Sequence, residues 1–151
     1  MTQTLKDFLI GAKNKEFATK SGTNIHTKMR HIVVHGGERS VGDHDIVEII
    51  KNRTDLLPFF VATNFPQTEV PIAGYINNTF VSRRIDRLLI NHKSKTIDFM
   101  DYKTDINKNE FVEKYKKQLN EYAQLLHSAY PDYKISGYIL WIHDWVLTQL
   151  V

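Results

Sequence analysis

Asp101 and Lys103 stand two positions apart in the run Asp98-Phe99-Met100-Asp101-Tyr102-Lys103-Thr104. In an extended segment that spacing puts both side chains on one face and leaves Met100 and Tyr102 on the other. Upstream, Arg83-Arg84-Ile85-Asp86-Arg87 carries a second carboxylate, and a hairpin between the two runs would set Asp86 beside Asp101. Two adjacent carboxylates repel, and they stay ionised together only with a cation between them. Magnesium suits such a patch: it takes hard oxygen ligands, keeps several waters, and is often held by one or two carboxylates plus a substrate phosphate. The Tyr102 backbone carbonyl could be a third ligand. Lys103 could orient or deprotonate an attacking water and neutralise charge on a phosphate. That is the equipment of metal-assisted phosphodiester hydrolysis. The plainer alternative is an Asp-x-Lys on a solvated strand, with Asp86 in a local ion pair with Arg84 or Arg87. The apolar neighbours Ile85, Leu88, Leu89, Ile90, Ile97, Phe99 and Met100 weigh against it, because charges in core strands seldom lack a partner or a role.

The elements that must hold these residues follow from pattern. Strands are expected over Glu69–Tyr75, Thr79–Asn91 and Thr96–Lys103, with tight turns at Asn77–Asn78 and Lys93–Lys95, giving a three-stranded antiparallel meander. Phe111, Val112, Tyr115, Leu119, Tyr122, Ala123 and Leu126 form an apolar stripe, so Asn109–Tyr130 is expected to be one long helix. Lys134–Ile142 reads as a buried strand, and Trp145–Val151 as a strand or a short helix. A strand that follows a crossover helix lies parallel to its neighbour, so the sheet should be mixed. The first 54 residues read as helical: Leu5, Phe8 and Leu9 mark one stripe; Ile25, Met29, Ile32 and Val33 a second, capped by Ser21 or Thr23 and ended by Gly36–Gly37; Ile46, Val47, Ile49 and Ile50 a third. The fold class is α/β, an α+β arrangement around a mixed sheet, in one domain over 1–151 with residues 1–20 as a possible helical extension.

Composition narrows the chemistry. The chain has 151 residues, 42% of them hydrophobic and 25% charged, as an ordinary globular protein does. It has no cysteine, which excludes thiolate zinc sites, iron–sulfur clusters and a cysteine nucleophile. No apolar run approaches the ~20 residues of a bilayer span. The charged first twenty residues lack the apolar core of a secretory signal, so a cytoplasmic protein with no membrane partner is expected. Twenty Lys and Arg against 17 Asp and Glu give a net charge of +3, which permits a polyanionic partner without requiring one.

The ordered pattern Glu69-Val-Pro, Arg84-Ile-Asp86-Arg87-Leu, Asp101-Tyr-Lys103-Thr104 and Tyr115-x-x-Gln118-Leu-x-x-Tyr122 resembles the PD-(D/E)XK nuclease superfamily. It is most similar to the RecB/AddA-type nuclease domain, the C-terminal part of a helicase–nuclease subunit that processes double-strand DNA ends. The likeness runs from about Gly22 to the end. It implies a restriction-endonuclease-like core and a magnesium-dependent deoxyribonuclease, with manganese able to substitute. Such an enzyme acts in break repair or recombination, as an exonuclease rather than an endonuclease. It implies Asp86 and Asp101 as metal-binding carboxylates and Lys103 as the catalytic lysine. Gly22-Thr23-x-x-His26 resembles the upstream motif whose histidine helps hold the metal. Gln118 and Tyr122 resemble a pair near the DNA backbone, and Glu69 an acidic position before the aspartate strand.

Two departures from the family stand out. Ser82, Arg83 and Arg84 occupy a stretch that often holds glycine. No Gly-rich Lys-Ser/Thr phosphate loop lies in these residues, so an excised domain, a gene remnant or a stand-alone relative is expected, with a helicase motor or second subunit as a candidate partner. Arg84 and Arg87 are candidates for phosphate contacts on single-stranded or duplex ends. Lys114, Lys116 and Lys117 are either a solvated face or a DNA-attracting one. His31 and His35 share the i, i+4 spacing of two helical metal ligands but lack a third. From another functional class, a non-catalytic DNA-binding or subunit-docking module on a relic nuclease fold is the alternative.

Overall fold

A computed structural model of the protein describes residues 24–36 and 39–151. The expectations for 1–20, for Ser21, Gly22 and Thr23, and for Gly37 lie outside the described residues. Residues 24–30 are helical (α1), followed by α2 (His44–Lys51), two 3₁₀ turns (Leu57–Phe59 and Ala62–Asn64), β1 (Gln67–Ile76), β2 (Thr79–Asn91), β3 (Thr96–Lys103), α3 (Lys108–Ala129), β4 (Lys134–Trp141) and β5 (Val146–Gln149). The strands form one five-stranded sheet in the order β1-β2-β3-β4-β5. All neighbours are antiparallel except β3 and β4, which run parallel across the α3 crossover. The protein is therefore α/β with a mixed sheet, and the last segment resolves to a strand. Among the described residues no helix is long and apolar enough to cross a membrane.

The turn between β1 and β2 takes Asn77 and Asn78 through φ 48° and 63°. Both are left-handed, the geometry that matches hairpin twist and that asparagine tolerates. Pro71 sits in the edge strand β1, where a missing ladder donor costs least. Gly42, at φ 115°, brings the chain to Asp43, whose carboxylate caps α2 by accepting from Asp45 N and Ile46 N.

Apolar residues cover both faces of the sheet. On one, Met29, Ile32, Ile46, Val47, Ile50 and Phe60 pack with Met100, Tyr102 and Leu140. On the other, Tyr115, Leu119, Tyr122 and Leu126 of α3 pack with Ile85, Leu88, Ile97, Phe99 and Trp141. The helix expected over Ile25–Val33 is shorter than its stripe. It ends at Arg30, and Val33 and Val34 form single β-bridges to Val41 and Val61. Ile32, Val33 and Val34 are β-branched, and an extended path buries Ile32 and Val34 while pairing their backbone. His31 and His35 therefore lie past the helix end, without the helical spacing of two ligands.

Candidate active site at the parted end of β2 and β3

The site lies where regular pairing stops. The β2–β3 ladder ends at Arg87↔Met100. Past that pair the strands separate, and Tyr102 N–H donates to Asp86 Oδ2 at 2.8 Å. The β1–β2 ladder skips the same level: Thr68 pairs with Arg87 and Val70 with Ile85, leaving Glu69 and Asp86 unpaired. Glu69 is left-handed, φ 54°, inside a strand. Side-chain alternation breaks there as well. Ile85 and Leu88 both pack toward α3, although residues three apart should face opposite sides. Asp86 is thus released from the pleat and turns toward β3 rather than lying flat on either face.

Asp101 holds the face the Asp-x-Lys spacing predicted. Asp86 and Asp101 are both buried, at 5% and 4% exposure. Burial, and then the neighbouring Asp86 charge, push the Asp101 carboxyl up to about 6, against the opposing pull of Lys103 and His26. Lys103 Nζ approaches Asp101 Oδ2 to 2.7 Å. That contact is an ion pair rather than a well-angled hydrogen bond, and among the described residues buried Oδ2 has no further polar partner. His26 Nε2, reaching over from α1, lies 3.1 Å from Asp86 Oδ2, which accepts from it and from Tyr102 N together.

Lys103 is held from three sides. Besides Asp101, it donates to Gln118 Oε1 at 3.2 Å, and its Nζ lies 4.3 Å from the centre of the Tyr115 ring. Gln118 Nε2 donates to Tyr122 OH at 2.6 Å, which fixes the amide so that its oxygen faces the ammonium. The Tyr122 phenol is pushed up to about 12 by burial and then by the Asp101 charge, so it acts as a neutral hydrogen-bonding group. Tyr115 OH donates to Asp105, which steadies the ring under Lys103. Tyr115 lies in the core, as its place on the apolar stripe predicts, and its role beneath Lys103 is additional. Its place one turn before Gln118 on the same helix face was the available signal.

The structure redistributes the expected DNA contacts. Arg84 is exposed and reachable, and its Nε pairs with Glu69 Oε2 at 2.7 Å. Tyr122 is buried behind Gln118, and Gln118 serves Lys103. Arg87 is corrected outright: it is 1% exposed and saturated by internal acceptors, so no phosphate can reach it. The break in alternation at Asp86 sets this arginine on the α1 face of the sheet, opposite Ile85 and Leu88.

Among the described residues no group of three or more His, Asp or Glu is gathered tightly enough to hold a metal alone. A divalent hard cation held by two carboxylates, water and substrate phosphate does not need such a group. The donor set fits that case, with two buried carboxylates close enough that the Asp86 charge raises Asp101, and an Asp101 oxygen held by the Lys103 ion pair. A scan against protein-family models finds no match, and a search of curated proteins finds no similar chain.

Proposed function

We propose that the chain is a magnesium-dependent DNA nuclease on a restriction-endonuclease-like core, with manganese able to substitute. The observation that carries this reading is the convergence of Asp86, Asp101 and Lys103, with the two carboxylates buried and Lys103 paired to Asp101, at the parted end of β2 and β3. Asp86 and Asp101 would hold the cation, with His26 beside Asp86 and the Tyr102 carbonyl as further candidates. When bound, it supplies Lewis-acid charge at the scissile phosphate.

The chain's own residues do the rest. Tyr102 N–H fixes the Asp86 carboxylate, so its geometry is set before substrate arrives. Lys103 is aimed by Gln118 and Tyr115 and can hold a water in line with the phosphorus while offsetting charge on the phosphate oxygens. Tyr122 keeps the amide from rotating. Arg84, exposed beside Glu69, is placed to meet a phosphate along the strand. DNA ends, single-stranded or duplex, are the substrate class, and a helicase motor or second subunit is the proposed partner.

The test is cleavage of linear single- and double-stranded DNA with magnesium or manganese by the protein and by Lys103→Ala. The reading expects metal-dependent cleavage by the protein, reduced roughly 10²–10³-fold in the variant, the range typical of losing one transition-state donor. Equal cleavage by both would trace the activity to a contaminant. DNA binding without cleavage by either would leave a docking module.

A further inference from the structure

Arg87 is a buried cation, and among the described residues no carboxylate meets its guanidinium. Its Nε donates to Tyr102 OH at 2.8 Å, Nη1 to Phe59 O at 3.1 Å, and Nη2 to Met29 O at 2.7 Å and Ile32 O at 3.2 Å. The Phe60 ring lies 4.0 Å beneath its central carbon. Two of the acceptors, Met29 O, which also accepts from Ile32 N–H, and Ile32 O, lie at and just past the end of α1, where backbone carbonyls carry partial negative charge. A guanidinium spreads five N–H donors over three nitrogens and reaches these four separated acceptors; an ammonium has three donors on a single nitrogen.

The placement matters more than the burial. Asp86 and Arg87 are adjacent on β2, and each grips the same two elements. Asp86 takes His26, and Arg87 takes Met29 one turn later on α1. Asp86 takes the Tyr102 backbone N–H, and Arg87 takes the Tyr102 hydroxyl. Both ends of the residue between Asp101 and Lys103 are therefore clasped by neighbours on the opposite strand. We infer that Arg87 is the positioning residue of this site: it docks α1 so that His26 meets Asp86, and it sets Tyr102 so that Asp101 and Lys103 keep their places opposite. The inference deepens the nuclease reading, and only its kinetic arm rests on that reading.

The experiment uses the full chain carrying Arg87→Lys, which keeps the charge and loses the fork. In metal-free protein, long-range proton–nitrogen spectra of the histidine rings, with His26 identified by His26→Gln, report the His26–Asp86 contact directly. The expected result is a displaced His26 signal with the other histidine signals unmoved. On linear DNA with magnesium, kcat should fall roughly 10²-fold at unchanged KM, the loss expected from ångström-scale misplacement of reacting groups. Should Arg87→Lys fail to fold, Tyr102→Phe removes only the hydroxyl that Arg87 holds and is expected to act in the same direction with smaller amplitude. A folded variant with the wild-type His26 signal overturns the inference, as does a loss expressed in KM alone. A wild-type protein that cuts no DNA overturns the nuclease reading, while the spectra still decide the role of Arg87.

Discussion

Replacing Asp101 with asparagine separates what the site costs the fold from what it gives the chemistry. Inside the folded protein the Asp101 carboxyl is raised from 3.8 to about 6, first by burial and then by Asp86. A raised carboxylate makes the folded state bind a proton the unfolded chain has already released. The penalty is absent below pH ~4, grows between pH ~4 and ~6, and is complete above. About two pKa units correspond to roughly 3 kcal/mol. Asp101→Asn keeps the shape and removes the charge, so at pH 8 without metal the variant should be more stable by ~1–3 kcal/mol. For a chain of this length that is about 2–12 °C in melting temperature. At pH 4 the gain should vanish. Urea titrations in EDTA from pH 4 to 8 measure it. Magnesium should stabilise the wild type in proportion to its occupancy and leave Asp101→Asn unmoved. A variant less stable than wild type at pH 8, or a gain of the same size at pH 4, would refute the claim that Asp101 is held as a strained, cation-seeking charge.

Three other outcomes follow from particular contacts. Gln118→Leu removes the amide that aims Lys103, and kcat should fall by about tenfold while far-UV circular dichroism and DNA affinity stay unchanged. Gly137→Ala would bring a methyl to 2.4 Å from Phe99 Cζ, so denaturant unfolding should show a loss of ~1–3 kcal/mol from overpacking. Glu69→Gly relieves a left-handed φ of 54° and frees Arg84; chemical unfolding should register a gain of no more than ~1 kcal/mol, with a steeper salt dependence of DNA binding.

The sheet was largely legible because its signals were local. The bounds of β2 and β3 match those read from β-branched runs, α3 falls within one residue at each end, and the Asn77–Asn78 turn adopts the backbone its residues favour. The convergence of Asp86, Asp101 and Lys103 followed from period-two alternation in β3 plus a hairpin. Two things were hidden. The stripe Ile25–Met29–Ile32–Val33 fits helical spacing throughout, and only the distant Val41 and Val61 draw its end into an extended path. Arg87 lies among apolar neighbours that read as a core strand, but it also reads as a phosphate contact; the face it takes is set by a break in alternation that depends on Glu69 and Asp86 leaving their ladder together, which no spacing within either strand records. Tertiary pairing, rather than local preference, decided both.

The parallel pairing of β3 with β4 imposes an order of assembly. Asp86 and Asp101 lie on neighbouring strands joined by a short turn, so a nascent chain can bring them together as soon as the meander has emerged. Gln118, Tyr115 and Tyr122 arrive only with α3, whose far end must deliver β4 to the open edge of β3 before the helix is fixed. Until then Lys103 has no amide to aim it and no ring beneath it. If the nuclease proposal holds, the acidic half of the site rests on local pairing and its lysine on the crossover, so cleavage would report completion of the crossover rather than formation of the hairpins.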